Sequence, residues 1–142
     1  MRKILRFSVL AALPYLVVAP EGSAQTATWY ISTYTNDIMM WDEASELVTG
    51  RITMSHFFPT DILVNEARTR LYVEEASGQH IEIVDVASKR VVDDITLSHD
   101  NVVVRIDGFA PHPSDERAAL FVKRYTKLRD RYVVAGPFLL EY

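Results

Sequence analysis

The 142-residue chain contains no cysteine, and that absence removes several classes of protein at once. A disulfide scaffold, a thiolate zinc site, a cysteine nucleophile, a covalently attached c-type haem and a lipid anchor on cysteine are all excluded. Also missing are a phosphate-cradling Gly-rich loop, a G-x-S-x-G elbow, an H-E-x-x-H pair and a dinucleotide fingerprint. Charge of one sign is not concentrated: the formal net charge is −4 and the pI is about 5.5, which argues against a general nucleic-acid binder. With 49% hydrophobic and 24% charged residues, the chain has the apolar content to fold rather than stay disordered. Its length suits one ordinary domain or part of a larger one.

The first residues read as an address. Arg2, Lys3 and Arg6 precede the apolar run Phe7 to Ala19, and small residues follow at Gly22 and Ala24. This is the layout of a bacterial secretory signal peptide, residues 1–24, with cleavage expected after Ala24 or, as the alternative, Ala27. The run is shorter than the roughly 20 residues that span a bilayer, and Pro14 breaks it. A buried N-terminal helix is the competing reading. The expected location is periplasmic or secreted, with no transmembrane segment in the mature chain.

The remainder repeats itself at an offset of about 43 residues. Asp37 to Met54 reads DIMMWDEASELVTGRITM and His80 to Leu97 reads HIEIVDVASKRVVDDITL. The matched pairs include Ile38/Ile81, Met40/Ile83, Trp41/Val84, Asp42/Asp85, Ala44/Ala87, Ser45/Ser88, Val48/Val91 and Ile52/Ile95. A third copy begins at Leu120-Phe121-Val122, and Phe138 to Tyr142 resembles Ile81 to Val84. The repeats are placed at 28–56, 57–99 and 100–142, and the third stops in mid-repeat.

Each unit reads as strands. Tyr30 to Thr35, Leu71 to Glu75, Ile81 to Val86 and Val91 to Leu97 are rich in β-branched and aromatic residues. Asp85-Val86-Ala87-Ser88 is turn chemistry, because the carboxylate can accept nearby backbone N–H bonds. A further strand precedes each "LYV" strand: Ile62-Leu63-Val64 in one unit, Val102 to Ile106 or Gly108-Phe109-Ala110 in the next. Four strands per unit is the arrangement of a β-propeller blade.

The stretch Leu71-Tyr72-Val73, Ser77-Gly78 and Ile81 to Val92 resembles the YVTN-type β-propeller repeat. Met40-Trp41-Asp42 and Thr49-Gly50-Arg51 resemble a WD40 repeat, and Ser55-His56 and Ser98-His99 fall where WD40 repeats place Gly-His. Val84 stands where a second WD40 tryptophan would be, and Glu74-Glu75 where the YVTN repeat has threonine and asparagine. The resemblance implies an all-β fold of four-stranded antiparallel blades, about two and a half of them. Propellers close with typically four to eight blades, so ring completion is expected from further C-terminal blades or from self-association, the first being favoured.

Within that frame, His56 and His99 follow the last strand of successive units, at the end where propellers commonly bind ligands. Two imidazoles there could hold a metal or an anion; the competing reading is a hydrogen bond within each blade. His80 is expected on the same face but farther out. Asp42 and Asp85 are expected to cap turns rather than form a catalytic pair. Asp61, Asn65, Asp107 and His112 lie around the innermost strands without diagnostic spacing. The basic run Lys123, Arg124, Tyr125, Lys127, Arg129 and Arg131 lies in an insertion, since 15 residues separate Val122 from Phe138 where seven separate Val73 from Ile81. It predicts an enlarged hairpin that could contact an anionic partner.

These residues assign no catalytic group and no cofactor. The function expected is an exported, non-catalytic binding or scaffold module with a protein or small-molecule partner. The alternative is part of an exported propeller enzyme, amine-dehydrogenase-like or lactonase-like, as YVTN resemblance implies. Fold alone does not choose between them.

Overall fold

The computed structural model describes residues 26–113 and 117–142; the expected signal peptide lies outside the described residues. Among the described residues ten strands follow one another: β1 (Thr28–Ser32), β2 (Asp37–Asp42), β3 (Leu47–Thr53), β4 (Pro59–Val64), β5 (Arg70–Glu75), β6 (His80–Asp85), β7 (Arg90–Thr96), β8 (Val102–Pro111), β9 (Ala118–Lys127) and β10 (Tyr132–Glu141). They form three antiparallel sheets in the orders β1-β2-β3, β4-β5-β6-β7 and β10-β9-β8. The chain meanders from each strand to its neighbour, and the described residues include no helix.

The 43-residue repeat is visible in backbone detail. Asp42 accepts from the Ser45 amide (2.9 Å) and hydroxyl (2.6 Å), and Asp85 accepts from the Ser88 amide (2.6 Å). Those turns carry positive φ at equivalent residues, 55° at Glu46 and 58° at Lys89. A bulge interrupts β2–β3 pairing at Met40/Trp41 and β6–β7 pairing at Ile83/Val84, again one repeat apart. The hydroxyl and amide of Ser45 and Ser88 hold both aspartates below their ordinary pKa, as carboxylates accepting hydrogen bonds should be. The turn-capping expectation for this pair is met.

The sheets are partial propeller blades, as expected from a chain of about two and a half units. Among the described residues the middle sheet has four strands; the first sheet holds the equivalents of β5, β6 and β7, and the third the equivalents of β4, β5 and β6. The two alternatives Val102 to Ile106 and Gly108 to Ala110 belong to one strand, β8, bent by a bulge between Ile106 and Gly108.

Period-two alternation sorts the middle sheet's side chains to two faces. Leu71, Val73 and Val84 pack with Ile38, Met40, Ile52 and Met54 of the first sheet. Tyr72, Ile81, Ile83 and Ile95 pack with Val104, Ile106, Leu120 and Val122 of the third. Each such aliphatic side chain contributes about 1.5–3 kcal/mol on burial. Face-to-face stacking of sheets therefore supplies the core, since no single sheet can bury its own apolar residues. The two end sheets keep large apolar side chains exposed, among them Trp29, Leu47 and Val48 on one and Tyr132, Val134 and Leu139 on the other.

Candidate functional site

The connections at one end of the sheets are tied down by two buried carboxylates. Glu82, on β6, is 1% exposed and faces the first sheet. Its Oε1 accepts from the amides of Ser55 (3.0 Å) and His56 (2.9 Å), and its Oε2 from Ser55 (2.9 Å). Glu75, at the end of β5, is 2% exposed and accepts from the amides of Ser77 (2.6 Å), Gln79 (2.9 Å) and His80 (3.2 Å), and from the Ser77 hydroxyl. Burial pushes the Glu75 pKa up, but the Ser77 hydroxyl and these amides outweigh it and hold the group below its ordinary value. The Asn36 side-chain amide donates to the His56 carbonyl, and Ala76 N to Phe58 O (3.1 Å). The β1–β2, β3–β4 and β5–β6 connections thus form one hydrogen-bonded surface.

On that surface His56 stacks on His80, with ring centroids 3.7 Å apart and planes 15° from parallel. Both address one carboxylate: His56 Nε2 lies 3.4 Å and His80 Nδ1 3.0 Å from Asp94 Oδ2. His80 therefore sits against His56 rather than farther out as expected, because the β3–β4 connection folds back over the start of β6. His99 is not a member of this group; its Nδ1 lies 3.1 Å from the Leu97 carbonyl oxygen. Asp94, the companion carboxylate, escaped sequence reading. Its signal was positional: one repeat upstream, Asp37 and Arg51 form an ion pair (2.8 Å) at the places of His80 and Asp94, with acid and base exchanged between strands.

The basic run lies in an enlarged hairpin, β9–β10, and most of it is strand. Lys123, Arg124, Tyr125 and Lys127 lie on β9, and Arg129 and Arg131 in the β9–β10 turn, which Leu128 N closes on Arg131 O (2.8 Å). Strand alternation puts Lys123, Tyr125 and Lys127 on one face and Arg124 on the other, so the positive charge is divided. Lys123 pairs with Asp107 (2.9 Å), which also receives Arg105 (3.2 Å); the Asp107 hydrogen bond raises the Lys123 pKa. Arg124 instead edges an apolar cleft with Leu97, Val104, Val122, Phe138 and Leu140.

Asp61 and Asp107, from β4 and β8, line a cleft of about 210 Å³ together with Glu74. Burial and then the Asp61 charge push the Glu74 pKa up. Asn65 caps the β4–β5 turn, its Oδ1 accepting from Thr69 N (2.8 Å) and Arg70 N (3.0 Å). His112 lies beyond β8, its amide donating to Arg117 O (2.9 Å). The structure does not gather these four into one site.

No family model and no curated protein sequence matches the chain. Among solved structures, the β-propeller domain of Cps50 (Swd1) from Myceliophteria thermophila is similar with a TM-score of 0.52, at 11% identity over 78% of this chain. Hydrazine synthase of Kuenenia stuttgartiensis gives 0.48, at 18% identity over 69%. The chain spans 32% and 28% of those chains, respectively. At 11% identity the likeness to the Cps50 domain is one of fold. Stacked antiparallel meanders matching a propeller domain define the class: the chain is a β-propeller module of partial blades.

Proposed function

We propose that this chain belongs to an exported β-propeller that acts as a binding or scaffold module of the YVTN or WD40 kind, non-catalytic by itself. Export rests on the basic, apolar and small-residue succession of residues 1–24. The repeat kind rests on Leu71-Tyr72-Val73, Met40-Trp41-Asp42 and the two Ser-His pairs.

The single observation that carries a binding role is the fixing of the connections by Glu75 and Glu82. Loops pinned to the scaffold lose little conformational entropy when a partner docks, so their binding energy is not spent on ordering them. The same surface exposes Tyr34 and Phe57, aromatic groups of the type that anchor interfaces.

A selection from a displayed peptide library on the immobilised full protein tests this reading. Selected peptides are expected to lose at least about tenfold in affinity, or 1.4 kcal/mol, with Tyr34→Ser or Phe57→Ser. Lys89→Ala, at the opposite end of the sheets, should leave affinity unchanged. Peptides insensitive to both aromatic substitutions would overturn the assignment of this surface. Mass spectrometry of the protein recovered from the periplasm of a bacterial host should find a mature chain beginning at Gln25 or, by the alternative cleavage, at Thr28; a cytosolic chain retaining Met1 would overturn export.

A further inference from the structure

We propose that His56, His80 and Asp94 form a binding site for a divalent transition-metal cation of the zinc type, at the rim where the first and second sheets meet. One donor atom from each residue lies within 4.8 Å of the others. Tetrahedral ligands held at 2.0–2.2 Å from such an ion are roughly 3.4 Å from one another. The two imidazole–carboxylate separations, 3.4 and 3.0 Å, already approximate that spacing. Two neutral imidazoles and one carboxylate suit a borderline ion, and three protein ligands leave a fourth position for water or a partner's group.

A second observation points the same way. Asp94 Oδ1 is buried and makes no hydrogen bond, while Oδ2 faces both rings. A buried carboxylate oxygen without a partner costs on the order of 1–3 kcal/mol or more. The two imidazole contacts, both at Oδ2, leave that cost standing, and a cation bound by both carboxylate oxygens would relieve it. The cross-strand ion pair one repeat upstream has no such remainder: its acid, Asp37, uses its Oδ1 on Thr35 (2.9 Å) and its Oδ2 on Arg51 (2.8 Å).

The ligands also rest on a prepared support. Glu82 fixes the His56 backbone and Glu75 the His80 backbone, and Asp94 stands on β7 opposite Glu82. Ligands positioned by outer hydrogen bonds bind metals more tightly than mobile ones. The side chains retain 24–32% exposure, which gives an ion a path from solvent. Coordination in both ring planes at one point requires the stacked rings to open from 15°, so metal binding turns at least one imidazole.

The test uses the full chain, purified without a histidine tag, stripped by a chelator and titrated with Zn²⁺ in competition with a chromophoric chelator. One ion per chain is expected. His80→Gln and Asp94→Asn should each weaken binding by at least the roughly 10–100-fold that losing even an outer-shell partner costs; His99→Gln should leave it unchanged. Circular dichroism of each metal-free variant separates lost ligation from lost folding. Histidine ring-nitrogen NMR on the unsubstituted chain provides a readout free of mutation, with Zn²⁺ shifting His56 and His80 and leaving His99 in place. Absence of binding at 100 µM Zn²⁺, binding indifferent to His80→Gln and Asp94→Asn, or ring-nitrogen shifts at His99 instead would overturn the proposal.

Discussion

Removing the Glu82 carboxylate tests whether one buried charge holds the β3–β4 connection against the second sheet. In Glu82→Ala, the His56 amide loses its acceptor at 2.9 Å and the Ser55 amide loses contacts at 2.9 and 3.0 Å. Hydrogen bonds to a charged group contribute about 1.5–3 kcal/mol each. Ser55 is an exposed residue, so water recovers much of its loss, and the half-buried His56 amide recovers less. The expected cost is about 3 kcal/mol for Glu82→Ala and about 1–1.5 kcal/mol for Glu82→Gln, whose carbonyl can still accept. With a urea m-value of about 2 kcal/mol/M, the alanine variant lowers the unfolding midpoint by about 1.5 M. Amide exchange at Ser55 and His56 should accelerate by about 100-fold if the connection opens locally. A midpoint moved by less than about 0.25 M, with both amides still protected, would refute the claim that this carboxylate is the anchor.

Two further outcomes follow from the same surface. The Glu75 pKa is held below its ordinary value of 4.5, so the carboxylate stabilises the fold fully above that pH and stops doing so as pH falls through the lower, folded-state value. In urea titrations Glu75→Gln should therefore be less stable than the unsubstituted chain at pH 7, with the gap closing toward pH 3; a pH-independent gap would contradict the linkage. Gly78 adopts φ +67°, and an added Cβ would meet the Ile106 carbonyl oxygen at 3.3 Å and Arg105 Cγ at 3.2 Å. Gly78→Ala should cost about 1–2 kcal/mol, read from the thermal midpoint, and an unshifted midpoint would show that the β5–β6 turn tolerates a side chain.

The repeat was legible because its determinants are local. Asp42 and Asp85 reach residues three places onward, and the bulges at Met40/Trp41 and Ile83/Val84 belong to hairpins of adjacent strands. Such features depend on a few neighbouring residues and recur when those residues recur. The basic insertion was legible as extra length, but not as three long paired strands. Val102 to Val104 of β8 pairs with Arg124 to Thr126, a match that turn chemistry does not encode.

By itself, then, the sequence determined the meander, the 43-residue period, the turns that close it and the apolar faces that require stacking. Only the tertiary structure decided how many strands each sheet contains, and that Glu82, an acidic residue amid apolar ones, faces inward to bind a loop. It alone brought His56 to His80 and Asp94. The physical reason is range. Hairpins are settled between strands adjacent in the chain, whereas the meeting of a connection with the rim of the next sheet depends on how two whole sheets pack.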